Sequence, residues 1–174
     1  MKNKVYLTLF MGIGKTTAGR KIAANLGWKY VDLDLFIETE HGKSIPEIFS
    51  EKGEEYFRKA EYAALREFDD QSGIVIATGG GAPCFSDNMD HMLSHGIVVY
   101  LKLTPEQLSS RLKGGKAERP LIMKLNDEEL PSYIAGKLND REPFYSRAHI
   151  TVQGFDLDLP FLLSTIRKMV PEVL

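Results

Sequence analysis

The chain has a single cysteine, Cys84, among 174 residues. An internal disulfide is excluded, and a cysteine-built zinc site lacks its second thiol, the pattern of a chain from a reducing compartment. Neither sign of charge is in excess: 22 Lys and Arg against 24 Asp and Glu leave a net charge of −2. No broad basic field draws the chain to nucleic acid or to an anionic membrane, although a local pocket for a small anion is allowed. Long hydrophobic runs are missing too. The longest near the middle, Ile97 to Leu101, is far short of the ~20 residues that span a bilayer. The start, MKNKVYLTLFMGIG, has two lysines followed by apolar residues, but it runs into Gly14-Lys15-Thr16-Thr17 with no small-residue cleavage site. It does not read as a signal peptide, and a cytoplasmic location is the expectation. Internal repeats, low-complexity stretches and heptad seams are also lacking, and a monomer is expected.

What is present suits one globular domain. Hydrophobic residues make up 43% and charged residues 26%, near ordinary values, and a chain of this length buries about 70% of its unfolded surface without staples. Strand-like runs occur at Val5–Phe10, Tyr30–Leu33, Ile74–Thr78, Ile97–Leu103 and Ile150–Val152. They are continuously apolar rather than alternating, as in parallel strands covered on both faces. Helix signals fill the intervals. Lys15–Leu26 stops at Gly27; Ser44 with Glu47 resembles a capping box, and Gly53 closes that short helix. Glu54–Phe68 carries Phe57, Ala60, Ala64 and Phe68 at helical spacing, which leaves Arg58 and Glu61 together on a neighbouring face. Thr104-Pro105-Glu106-Gln107 starts another helix, Asp127-Glu128-Glu129 a further one that Pro143 should end, and Phe161–Val170 is the last. The order β-α-β-α-α-β-α-β-α-α-β-α predicts an α/β sheet with right-handed crossovers. Residues 113–126, with Gly114-Gly115 and weak periodicity, read as a mobile surface segment.

The strongest chemical signal is Gly12-Ile13-Gly14-Lys15-Thr16-Thr17 at a strand-to-helix junction. Glycines let backbone N–H groups curl around phosphate oxygens, and the helix N-terminus presents its positive end to them. Lys15 would reach the β- and γ-phosphates and the Thr16 hydroxyl a Mg²⁺ ion. The alternative is a glycine turn followed by a surface lysine. The full phosphate-loop pattern has glycine where this chain has Leu9. If the backbone there needs a strained φ, the cost is roughly 1–3 kcal/mol, and Leu9→Gly should then tighten ATP binding. Ile13 is bulky for its place as well.

The run Ile74–Thr78 ends in glycines rather than in a magnesium-holding acid, so the candidates are Asp32 and Asp34, two apart after the second strand. One could orient metal-bound water and the other accept a proton from an acceptor hydroxyl. The alternative is a solvated pair, one of which caps the next helix. Arg58, Arg119 and Arg141 are the candidate cations, since a planar guanidinium matches carboxylate and phosphate. His91 and His95 stand at i, i+4, but no third ligand is evident nearby, so they read as exposed helical histidines. Phe57, Phe68 and Phe161 read as core, and Cys84 as packing.

The set LFMGIGKTT, DLD, EEYFRKAE, ATGGGA, ERPLI and REPFY, in this order over about residues 5–152, resembles shikimate kinase. The resemblance implies a single P-loop kinase domain over residues 1–174, a five-stranded parallel sheet of the nucleoside-monophosphate-kinase type with a mobile lid at about 113–126. It implies transfer of the γ-phosphoryl of ATP to the 3-hydroxyl of shikimate, with Mg²⁺ as cofactor. By this resemblance Gly12, Ile13, Gly14, Lys15, Thr16 and Thr17 hold the ATP phosphates, with Thr16 and Asp32 serving the metal. Asp34 contacts the substrate hydroxyls and is the base, while Arg58 and Arg141 clamp the substrate carboxylate. Gly79, Gly80 and Gly81 meet the ring. Arg119 is the lid arginine near the phosphates, Arg111 lies against adenine, and Glu61 orients Arg58. The adenine-side loop after Val152, Gln153-Gly154-Phe155-Asp156, has no clear counterpart. Two alternatives are a gluconate-type or other small-metabolite kinase, and a nucleotide-binding relative impaired by Leu9 and Ile13.

Overall fold

The structure is a computed structural model that describes residues 3–11, 14–113, 122 and 124–170. Five strands, β1 (Lys4–Leu9), β2 (Lys29–Asp32), β3 (Ile74–Ala77), β4 (Ile97–Lys102) and β5 (Ile150–Gln153), form one sheet in the order β2-β3-β1-β4-β5. Every neighbouring pair is parallel, so each connection must cross over a face of the sheet. The crossovers are α1 (Lys15–Leu26), α2 (Leu33–His41), α3 (Ile45–Arg66), α4 (Asn88–His95), α5 (Pro105–Lys113) and α6 (Glu129–Tyr145), and α7 (Leu159–Met169) closes the chain.

All six residues of β1 are buried because the strand is central and both its faces are covered. Val5, Leu7 and Leu9 join Ile22 of α1, Leu108 of α5, Ile134 of α6 and Ile166 of α7 on one side. Tyr6 points to the other side with Ile37 of α2, Leu65 of α3 and Met92 of α4. This is the period-2 alternation of a strand, hidden in sequence because both sides are apolar.

The predicted strands and helices are all present, within a residue or two at their ends. Gly53 interrupts α3 at φ 80, ψ 172. The left-handed φ suits glycine and bends the chain between the two helical pieces read from sequence. Three expectations are corrected. Pro143 does not end its helix: α6 runs through it to Tyr145, since losing one N–H that near the end removes only one bond. Phe161 is not core. It is 58% exposed at the start of α7, whose buried face is Leu162, Leu163 and Ile166. Leu9 is not strained: it ends β1 paired with Leu101, is 2% exposed, and is not among the positive-φ residues. Its side chain fills core, so the expectation that Leu9→Gly tightens ATP binding loses its basis.

Candidate active site

The C-terminal ends of β1, β2 and β3 converge, and the candidate residues follow them. After β1 the chain reaches Gly14, which caps α1 in the left-handed region at φ 74 without a side-chain acceptor. Lys15 and Thr16 open α1 and Thr17 follows; the helix end therefore faces the cleft as an anion-attracting terminus. Gly12 and Ile13 lie outside the described residues.

After β2, Asp32 does two things. Its Oδ1 accepts from the backbone N–H of Asp34 at 3.0 Å and of Leu35 at 3.3 Å, capping α2. Its Oδ2 accepts from the Thr16 hydroxyl at 3.5 Å. The capping and metal-facing readings of Asp32 are therefore compatible. Lys15 Nζ lies 3.1 Å from Asp32 Oδ1 and also contacts Asp34 Oδ2. Burial pushes the Lys15 ammonium down, but the two carboxylates outweigh it, Asp34 first, and its pKa is raised. Lys15 stays charged.

After β3 come three glycines, and each makes room for a different charged group. A Cβ on Gly79 would stand 2.8 Å from Asp34 Oδ1; on Gly80, 3.0 Å from Arg141 Nη1; on Gly81, 2.7 Å from both Nη1 and Nη2 of Arg58. Tyr145 donates its hydroxyl hydrogen bond to the Gly80 carbonyl. The T-G-G-G stretch is thus a shelf on which the acid and both arginines rest.

Arg58 is held from three sides. It donates to Glu61 Oε2 at 2.9 Å and to Glu54 Oε1 at 3.2 Å, and the Phe85 ring lies 3.9 Å beneath the guanidinium. Glu61 is 1% exposed. Burial pushes its carboxyl up to about 7, against the opposing pull of Arg58. Arg141, on α6, sits 5.1 Å from the Phe10 ring, and its Nη1 is buried with no hydrogen-bond partner among the described residues. A buried guanidinium nitrogen without an acceptor is costly. Burial also pushes the Cys84 thiol up to about 11, in keeping with packing rather than thiol chemistry.

Two clefts flank Lys15. One, of about 390 Å³, is lined by Leu9, Lys15, Asp34, Thr78, Gly79 and Gly80 among others. The second, of about 380 Å³, is lined by Gly14, Thr17, Arg111, Gly154 and Leu157 among others. The phosphate-loop helix therefore separates a pocket walled by Lys15 and Asp34 from a pocket with more apolar walls. The shikimate kinase family model matches residues 11–160, most of the chain.

The chain belongs to the shikimate kinase family.

A shikimate kinase from Parabacteroides distasonis is 45% identical over 148 residues, covering 85% of this chain and 86% of the relative. The crystal structure of the Bacteroides thetaiotaomicron shikimate kinase superposes with a TM-score of 0.85 at 37% identity, covering 97% of both chains. That of the Acinetobacter baumannii shikimate kinase, in complex with shikimate, gives 0.82 at 35% identity, covering 97% of this chain and 93% of that one. A gluconokinase from Sinorhizobium meliloti shares only the fold, at 14% identity and a TM-score of 0.59.

Among the residues singled out from sequence, the structure brings Lys15, Thr16, Asp32, Asp34, Arg58, Arg141 and Gly79–Gly81 to one end of the sheet. Gly14, Thr17 and Arg111 line the second cleft. Arg119 and most of the 113–126 segment lie outside the described residues. Sequence reasoning missed Phe85 beneath Arg58, Tyr145 on Gly80, and Leu157 in the second cleft. Tyr145 is in the R-E-P-F-Y motif and could have been singled out; Phe85 carries no signal before folding brings it to Arg58.

Proposed function

We propose that this chain phosphorylates the 3-hydroxyl of shikimate with ATP through the residues placed above. The observation that carries the reading is the buried, unpartnered Nη1 of Arg141 over Gly80, beside Arg58 over Gly81. Shikimate supplies one carboxylate, which two guanidinium groups can hold with charge-assisted bonds. Its hydroxyls face the carboxylate of Asp34, which accepts the proton as the 3-hydroxyl attacks the γ-phosphorus and the bond to the bridging oxygen breaks to release ADP. Lys15 and the Gly14 end of α1 hold the phosphates of ATP in the attack line, and Arg111 with Gly154 and Leu157 receives the adenine side.

Thr16 and Asp32 offer a hydroxyl and a carboxylate oxygen, 3.5 Å apart, hard donors of the kind Mg²⁺ takes, in part through water. The chemistry Mg²⁺ would supply there is neutralisation of charge on the phosphates. Gly12, Ile13 and Arg119 lie outside the described residues; the family resemblance alone assigns the first two to the ATP phosphates and Arg119 to the transferring group. We read the enzyme as a cytoplasmic monomer, acting on small metabolites where ATP is made. Among the described residues no helix is long and apolar enough to cross a membrane.

A coupled ADP-release assay tests this with shikimate and gluconate as acceptors. Turnover dependent on shikimate and Mg²⁺ is expected. ADP release that depends equally on gluconate, or that ignores shikimate, would overturn it.

A further inference from the structure

The end of the sheet away from the nucleotide holds a second cluster of metal-ligating groups. Asp69 lies in the turn between α3 and β3, and His91 and His95 lie on α4 one turn apart. Both segments run into the N-terminal ends of strands, whereas Lys15, Asp34 and Gly79–Gly81 all follow C-terminal ends. One ligand atom from each of Asp69, His91 and His95 falls within 4.8 Å of the other two. The third ligand that sequence spacing did not reveal is thus Asp69, 22 residues before His91. Nor is His91 an exposed helical histidine, since its side chain is only 8% exposed.

The local bonding favours ligation. His91 Nε2 lies 2.9 Å from Asp69 Oδ1. His95 Nδ1 lies 2.8 Å from the His91 carbonyl oxygen and 2.9 Å from the Ser94 hydroxyl; the tautomer that donates from Nδ1 to the carbonyl leaves Nε2 as the ligand atom. A ring nitrogen tied to a backbone carbonyl is the usual support of a metal-bound histidine. The two rings stack with centroids 4.1 Å apart, an arrangement that two imidazolium cations would oppose. Arg66 and Lys4 are the nearby cations that work against a bound ion. Arg66 is held by Asp87 and Asn88, and Lys4 Nζ donates to the Phe68 and Asp69 carbonyls.

We propose that Asp69, His91 and His95 form a site for one divalent transition-metal ion of the zinc class. Two imidazoles and a carboxylate suit Zn²⁺, Co²⁺ or Ni²⁺ and disfavour Mg²⁺, which keeps to oxygen ligands. Three protein ligands and water complete a tetrahedron. The ion ties the α3–β3 turn to the end of α4, so it serves stability and stands apart from the Mg²⁺ of the nucleotide site.

The test is calorimetric titration of ZnCl₂ into the EDTA-treated full chain holding saturating Mg²⁺ and ADP, with zinc-induced change in melting temperature read in parallel. One equivalent of Zn²⁺ and a raised melting temperature are expected. His95→Gln and Asp69→Asn should each weaken binding by at least about tenfold, the lower end of what losing even an outer partner of a ligand costs. In imidazole NMR spectra of the unsubstituted chain, Zn²⁺ should shift His91 and His95 and leave His41 and His149 in place, a readout that needs no variant. Absence of saturable binding, unchanged affinity in His95→Gln, or zinc shifts at His41 or His149 instead would each overturn the site.

Discussion

Gly81 lies directly against Arg58: a Cβ at position 81 would stand 2.7 Å from both terminal nitrogens of the guanidinium. The Gly81 backbone sits in the ordinary helical region at φ −86, ψ −23. Alanine is therefore permitted by the main chain and excluded only by the arginine. Gly81→Ala should leave the melting temperature nearly unchanged, because the far end of a long side chain can move. It should raise the KM for shikimate several-fold and leave that for ATP alone. Steady-state kinetics with each substrate varied in turn checks this, and equal changes in both constants would count against it.

Arg58→Ala and Arg141→Ala should separate the two substrates more strongly. Truncating one partner of a buried, hydrogen-bonded charge pair costs about 2–5 kcal/mol, so shikimate affinity should fall by roughly 30-fold or more. ATP affinity should hold, because the nucleotide is gripped from α1 on the other side of Lys15. Titration calorimetry with each ligand reads the difference.

Glu61→Gln tests the buried carboxyl behind Arg58. The folded pKa of about 7 lies above the model-peptide value of 4.5. The Glu61 contribution to stability is therefore present below pH 4.5 and lost as pH rises through about 7. The variant cannot ionise there. Its stability relative to the parent should rise between pH 5 and pH 8, by an amount on the order of a few kcal/mol at most. Its KM for shikimate should rise at pH 8, where it cannot supply the charge that orients Arg58. Urea unfolding across that pH range reads the first effect, and a flat difference would rule it out.

Leu9→Gly should lower unfolding stability by about 2–5 kcal/mol, the usual loss for emptying a buried leucine site, with glycine's chain entropy adding to it. Tighter ATP binding is not expected, because Leu9 is in the core and not among the positive-φ residues. Urea unfolding and nucleotide titration together check the pair of outcomes.

Most of the order of elements was legible in sequence because parallel strands buried on both faces are short apolar runs, and because several helices carry their own start or stop; α2, Leu33–His41, was not read, and the two helical pieces around Gly53 form the single α3. Ser44 and Glu47 form their capping box, and Thr104 with Gln107 exchange the same pair of bonds at α5. The phosphate site was legible because it is local: Gly14, Lys15 and Thr16 are neighbours in the chain and need only a strand before them and a helix after.

Tertiary structure decided whatever depends on distance in the chain. Asp32 reaches Thr16 across 16 residues, and Arg141 meets Gly80 only once α6 packs beside the β3 loop. Phe85 under Arg58 and Asp69 beside His91 carry no mark in their own neighbourhoods. Even the fate of Leu9 was settled by its partner strand β4 and not by the loop it precedes. Local backbone preference fixes which segments become strand or helix. Which side chains then share a pocket is set by how those segments pack, and short-range pattern holds no record of it.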